Sequence, residues 1–283
     1  LRLKFALVER KVYVIYCHEQ YLLRCSGIRI TELLICHCHV TRGRKQTFDV
    51  YDCVRLKLLL AVSFINFLVL GKIPDTACYI PNFITEEEEK QIIKYINSVP
   101  QPKWTQLSHR RLQNWGGIPH SKGMIAEEIP SWLQNYIDKV TALNAFDSAV
   151  LPNHVLINEY LSGQGIMAHS DGPLFYPVVT TISCGSHTFL DFYKRLDTTE
   201  QQLPKLEFSL LLERRSLLVL QKDLYHNYLH SIAERDVDSI SESSIKNLHM
   251  CTGKFTEGEI MKRGTRLSLT IRHVPKTSKL KLK

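Results

Sequence analysis

The chain has 283 residues, enough for one large domain or two small ones, and 44% of them are hydrophobic, which excludes a largely disordered protein. The formal charge is +8, but residues 1–75 hold 12 Lys/Arg against 6 Asp/Glu, and the remainder hold 24 against 22, four of those lysines in the tail 276–283. The body is therefore nearly neutral, which excludes a general polyanion-coating surface and leaves only a local one. Of eight cysteines, five fall in the first 75 residues, and Cys78, Cys184 and Cys251 are scattered. No spacing resembles a disulfide framework, so a reducing compartment, cytoplasmic or nuclear, is expected.

Residues 1–72 read unlike the rest and carry no assignable function. The chain opens on Leu1, as a fragment or an imperfect gene model would. Cys36–His39 reads CHCH, but adjacent ligands cannot wrap one tetrahedral ion without help from elsewhere. The apolar run Leu58–Leu70 falls short of the roughly 20 residues needed to span a bilayer, so no membrane partner is expected.

From Tyr79 the pattern becomes orderly. Thr85 with Glu88 forms a capping box, Glu86–Glu89 suit the positive end of a helix dipole, and Ile92, Ile96 and Val99 recur at helical spacing. Pro130 precedes a second amphipathic helix marked by Trp132, Leu133, Tyr136, Ile137 and Val140. After Pro152 the period changes. Strands are predicted over 153–160, 178–183, 187–193, 208–212, 216–221, 225–232 and 265–274, with a polar, irregular surface insertion over 233–262. Short strands separated by tight turns read as a sandwich or jelly roll.

Three stretches carry chemistry. His169-Ser-Asp171 offers a metal clip, but about 0.5 such His-x-Asp matches arise by chance, and a loop Asp capping a backbone amide beside a half-buried His is the ordinary alternative. In the last strand Arg266, Ser268, Thr270 and Arg272 share one face, and Leu267, Leu269 and Ile271 the other. In the first, His154, Leu156, Asn158 and Tyr160 share a face. Two strands thus offer donors and cations suited to a small dianion.

In this order, Asn158-x-Tyr160, His169-x-Asp171, a distant His230 and Arg266-x-Ser-x-Thr-x-Arg272 resemble the AlkB family of iron(II)- and 2-oxoglutarate-dependent dioxygenases, from about Ile80 to Pro275. The resemblance implies a mainly β fold with flanking helices: a double-stranded β-helix, or cupin-like jelly roll, behind N-terminal helices and a substrate lid. It implies domains of 73–150 (helices and lid) and 151–275 (core), followed by a basic tail, 276–283. His169, Asp171 and His230 are implied as iron ligands, with His226, expected on the same face of the same strand as His230, as the rival for the third position. Asn158, Tyr160, Arg266, Ser268, Thr270 and Arg272 are implied to hold 2-oxoglutarate, with Arg266 on its remote carboxylate. With O2, decarboxylation to succinate drives hydrogen abstraction from an alkyl group, and a hydroxylated N-methyl group then breaks down to formaldehyde and the free amine.

The segment 103–117 lies where this family places its nucleotide-recognition lid. Trp104, Arg110, Arg111 and Trp115 are the candidate contacts to substrate, with basic groups for phosphates and indoles for stacking. Equally, the tryptophans could anchor the loop to the core. Two departures stand out. Pro173 occupies the place where repair members carry an acidic residue, which puts 1-methyladenine or 3-methylcytosine repair in doubt, and Ser268 replaces the usual Asn. The expected partner is alkylated single-stranded DNA or RNA and the expected state a monomer. A protein or small-molecule hydroxylase, or a non-catalytic nucleic-acid-binding module, would be the alternatives.

Overall fold

The structure, a computed structural model, describes residues 77–147, 149–195, 205–241 and 243–278, and the backbones of two N-terminal strands. Those strands, β1 (Leu3–Val8) and β2 (Lys11–Tyr16), pair antiparallel, from Leu3 opposite Tyr16 to Val8 opposite Lys11. The chain divides into two units, Leu1–Arg55 and Leu56–Lys283. The CHCH motif, the apolar run 58–70 and residues 279–283 lie outside the described residues. Among the described residues, no helix is long and apolar enough to cross a membrane.

The second unit is built on two sheets. The large one has seven strands, ordered β3 (Ala77–Ile80), β12 (Leu217–Gln221), β9 (Val178–Cys184), β16 (Arg266–Arg272), β7 (His154–Tyr160), β5 (Arg110–Trp115) and β4 (Thr105–Leu107). The small one has four, ordered β11 (Leu206–Leu212), β10 (Thr188–Lys194), β13 (Tyr228–Ile232) and β8 (Ile166–His169). Their facing sides enclose one cavity, and the pairs β7–β16 and β9–β16 are antiparallel throughout. This is the jelly-roll arrangement expected from the alternating pattern.

The outer face of the large sheet is closed by two helices, α1 (Glu86–Ser98) and α2 (Ser131–Thr141). Thr85 Oγ1 accepts from the Glu88 amide and Glu88 accepts from the Thr85 amide, completing the capping box. Ile92, Ile96, Leu133, Ile137 and Val140 are all at most 2% exposed and join Val155, Ile157, Leu267, Leu269 and Ile271 in one core. The period of two sorts β16 in this way, with Leu267, Leu269 and Ile271 toward the helices and Arg266, Ser268, Thr270 and Arg272 toward the cavity. Glu89 is fully buried on α1, where Arg214, Arg215 and the Gly185 amide meet its charge.

Two expectations need correction, the strand over 225–232 and the irregular insertion over 233–262. The predicted strand 225–232 is broken by a short helix, α3 (Lys222–His226), so His226 and His230 do not share a strand. The segment 103–117 is a strand hairpin, β4–β5, that extends the large sheet by pairing with β7. With β3 it adds three strands to the large sheet, and a separate parallel pair joins β6 (Met124–Ile125) to β17 (Thr277–Ser278). The polar insertion 233–262 contains strands β14 (Val237–Ser239) and β15 (Ile260–Lys262) and a buried cluster of Ile240 and Ile245 against Phe189 and Leu211. It covers the outer face of the small sheet.

Candidate active site

The cavity between the sheets, of about 220 Å³, collects side chains from strands far apart in sequence. At one end β8 and β13 lie side by side, with His169 directly opposite His230 in the ladder and their rings 4.5 Å apart. Gly165 permits this approach, because a Cβ there would lie 2.2 Å from the Ile232 carbonyl oxygen. Asp171 follows in a tight turn whose next residue, Gly172, has φ +89°. Its Oδ2 stands 3.7 Å from His230 Nε2, and its Oδ1 stands 2.6 Å from Arg272 Nη2.

The electrostatics follow from burial. Desolvation opposes ionisation of Asp171, but Arg272, His230 and His169 outweigh it and hold the carboxyl below its usual range. Desolvation pulls His230 down to about 4, so its imidazole is neutral at physiological pH. His169 Nδ1 lies 2.9 Å from the Met167 carbonyl oxygen. A proton there leaves Nε2 as the free donor nitrogen.

At the other end, Arg266 is 4% exposed. Its Nη2 donates to Ser183 Oγ at 2.9 Å, its Nε has no partner, and among the described residues no carboxylate pairs with it. Burial pulls this guanidinium down to about 10, the mark of a cation without a counter-ion. Arg272 sits 4.5 Å above the Phe175 ring, and its Nε is likewise buried and unpartnered. Asn158, Tyr160, Ser268 and Thr270 line the same wall, and Leu190, Leu212, Leu218 and Leu220 line the apolar back.

These residues fit Fe(II) with 2-oxoglutarate by chemistry. Two neutral imidazoles and one carboxylate are the ligand types of a facial iron site with open positions. A 3.7 Å gap between two donors suits one shared ion, since metal–ligand bonds are about 2 Å. An orphaned buried guanidinium across the cavity calls for a carboxylate. The three ligand candidates do not close into a finished cage: among the described residues no group of three or more His, Cys, Asp or Glu is placed to hold an ion, and Asp171 leans on Arg272.

The lid candidates divide. Arg110 faces the cavity and its Nε donates to Asn158 Oδ1 at 3.1 Å. Arg111, the next residue, points to the helix side, where it makes a two-point ion pair with Glu159 and lies 4.0 Å from the Trp104 ring. Trp115 packs edge-on against Trp132 of α2, under Lys103. Trp104, Arg111 and Trp115 therefore belong to the anchoring layer rather than the cavity. The His226 ring lies edge-on to Tyr225 and outside the cavity lining, which removes it as a rival to His230. Residues that sequence reasoning missed are Ser183, Phe175 and Tyr225. Tyr225 donates from its hydroxyl to the Gly172 carbonyl at 2.7 Å and so ties down the turn after Asp171. Ser183 was legible as one position in an alternating strand; the other two have no local signal.

Comparison with known proteins agrees with this chemistry. The 2OG-Fe(II) oxygenase superfamily profile matches residues 103–272. The probable RNA/DNA demethylase ALKBH6 of Danio rerio is 49% identical over 213 residues, covering 74% of this chain and 89% of that protein. The tRNA (carboxymethyluridine(34)-5-O)-methyltransferase ALKBH8 of Macaca fascicularis is 26% identical over 244 residues, 81% of this chain but 36% of that protein. Among solved structures, a 2OG-Fe(II) oxygenase family oxidoreductase from Burkholderia pseudomallei superposes with a TM-score of 0.46 at 10% identity, over 77% of this chain and 94% of its own.

Proposed function

This chain belongs to the AlkB family of 2OG-Fe(II) oxygenases, and from that premise we propose that it demethylates alkylated, single-stranded nucleic acid oxidatively, as a monomer in the cytoplasm or nucleus. It is a dioxygenase that uses Fe(II), 2-oxoglutarate and O2. When bound, these supply oxidative decarboxylation to succinate and hydroxylation of a C–H bond. In our assignment His169, Asp171 and His230 hold the iron. The Met167 carbonyl orients His169, and Tyr225 fixes the turn that carries Asp171.

Arg266 is assigned to the remote carboxylate of 2-oxoglutarate, supported by Ser183 and by the Tyr160 ring, whose centroid lies 5.8 Å from the guanidinium. Asn158, Ser268 and Thr270 complete the polar wall, and the leucine-lined back excludes water from it. Arg272, stacked on Phe175, holds the Asp171 carboxylate and screens its charge. The cavity is smaller than the roughly 300 Å³ of a typical ligand site, so it takes the co-substrate whole and only the reacting alkyl group of a larger target. A base flipped from a strand presents such a group at low cost, least when the strand is already single.

The observation that carries this reading is the buried, uncountered Arg266 across one cavity from His169, Asp171 and His230. The nucleic-acid part draws on the name of the Danio rerio relative, a probable RNA/DNA demethylase. The test is a screen of methylated single-stranded DNA and RNA for succinate and formaldehyde released in equal amounts. Succinate without formaldehyde on every strand would refute demethylation. The helix-side placement of Trp104, Arg111 and Trp115 favours, as a second reading, a protein or small-molecule hydroxylase. Coupled turnover on peptides instead of strands would establish it.

A further inference from the structure

The charges lining the cavity are unequal. Arg110, Arg266 and Arg272 face a single carboxylate, Asp171. Under the assignments above, 2-oxoglutarate adds two negative charges and iron two positive ones, so the loaded pocket keeps a surplus of positive charge. Arg266 then meets a carboxylate of the co-substrate and Arg272 meets Asp171. Arg110 is left over. It pairs with no acid among the described residues, and its contact in the cavity is the neutral Asn158 side-chain oxygen at 3.1 Å. Pro173, two positions past Asp171, is exposed and carries no charge. Glu234, beside Gly165 and absent from the cavity lining, stands 3.3 Å from His109 Nδ1 on the β4–β5 turn. Glu159, the nearest acid on the adjoining strand, points to the helix side and is held by Arg111.

The geometry points to Arg110 as a specificity residue that admits neutral or anionic alkylated groups and turns away cationic ones. This rests on the nucleic-acid reading above and narrows its substrate class. A 1-methyladenine or 3-methylcytosine base is a cation at neutral pH; N6-methyladenine and 3-methyluracil are neutral. A fixed positive charge about 6 Å from a second one, at an effective dielectric of about 20, lowers binding about a hundredfold.

The experiment measures kcat/KM for formaldehyde release by the iron-loaded full chain on matched single strands that differ only in the methylated base. The ratio of the two values within one preparation does not depend on the fraction of active protein. The neutral base is expected to be favoured by about tenfold or more. In Arg110→Gln, which keeps a hydrogen-bonding side chain and loses the charge, the ratio should fall toward one, and in Arg110→Glu it should invert. Equal or better turnover of the cationic base by the native chain, or an unchanged ratio in both variants, overturns the inference and leaves demethylation standing. Failure on every strand while succinate still forms overturns demethylation and this inference together.

Discussion

Two clusters in this molecule have the same ingredients and opposite characters. Asp171 lies among Arg272, His230 and His169; Asp238 lies among Arg263, Arg235 and His187. At Asp238 both oxygens are taken, by Arg263 at 2.6 and 2.7 Å and by Arg235 at 2.7 Å, with His187 3.3 Å away. Burial alone would raise this carboxyl, but His187 and the two guanidiniums hold it far below its usual range. The Asp238 carboxylate is fully spent and pins the 233–262 segment to the small sheet, while His187 Nε2 is left without a hydrogen bond. The Asp171 cluster opens on a cavity and retains two unspent donors there, Arg266 Nε and Arg272 Nε. Residue types do not make a site. Unsatisfied groups facing a shared space do.

Mutation should separate the two. Asp171→Ala is expected to abolish iron-dependent succinate formation and, because it strands one guanidinium, Arg272, to cost less stability than the loss of Asp238. Asp238→Ala should do the reverse, lowering stability by about 3–5 kcal/mol through two stranded guanidiniums while the remaining folded enzyme still forms succinate. Urea unfolding beside a succinate assay checks both, and retained activity in Asp171→Ala would remove the iron assignment.

Arg266→Ala should raise the 2-oxoglutarate KM by about two to three orders of magnitude, the effect of leaving one partner of a buried ion pair alone. An unchanged KM would mean the dicarboxylate binds elsewhere.

Acid sharpens the comparison from another side. His154 is 1% exposed, and burial, then Arg272, lowers it to about 3. Its folded value is below its unfolded value of about 6.5, so the unfolded chain binds the extra proton. Stability is full above about pH 6.5 and falls as pH drops toward 3. His154→Gln should flatten that limb by one proton, about 1.4 kcal/mol per pH unit, in melts across the range.

The smallest effect belongs to the helix side. Arg111→Ala should cost about 1 kcal/mol, from loss of its largely buried two-point pair with Glu159, and leave the 2-oxoglutarate KM unchanged. A raised KM would place Arg111 in the cavity after all.

Much of the site was legible locally. Arg266, Ser268, Thr270 and Arg272 show their common face by alternation alone, and Thr85 with Glu88 announces α1. The lid shows where legibility stops. Arg110 and Arg111 are neighbours of the same type, and period two says only that they face opposite ways. Which way is inward depends on α1 and α2 covering one face of the sheet, a contact made by Ile96 and Trp132 from distant segments. The helix α3 was hidden in an apolar-polar run that suits either period, and β8 in a glycine-flanked stretch too short to show one.

By itself the sequence determined the strand alternation, the helix start and the identity of donors suited to iron and a dicarboxylate, because each is a property of a short window. Only the tertiary structure decided that His169 and His230 are opposite one another, that Arg266 lacks a counter-ion and that Arg110 alone of the lid residues enters the cavity. Those facts are set by which strands pair across the chain, and pairing between distant segments leaves no mark in either segment alone.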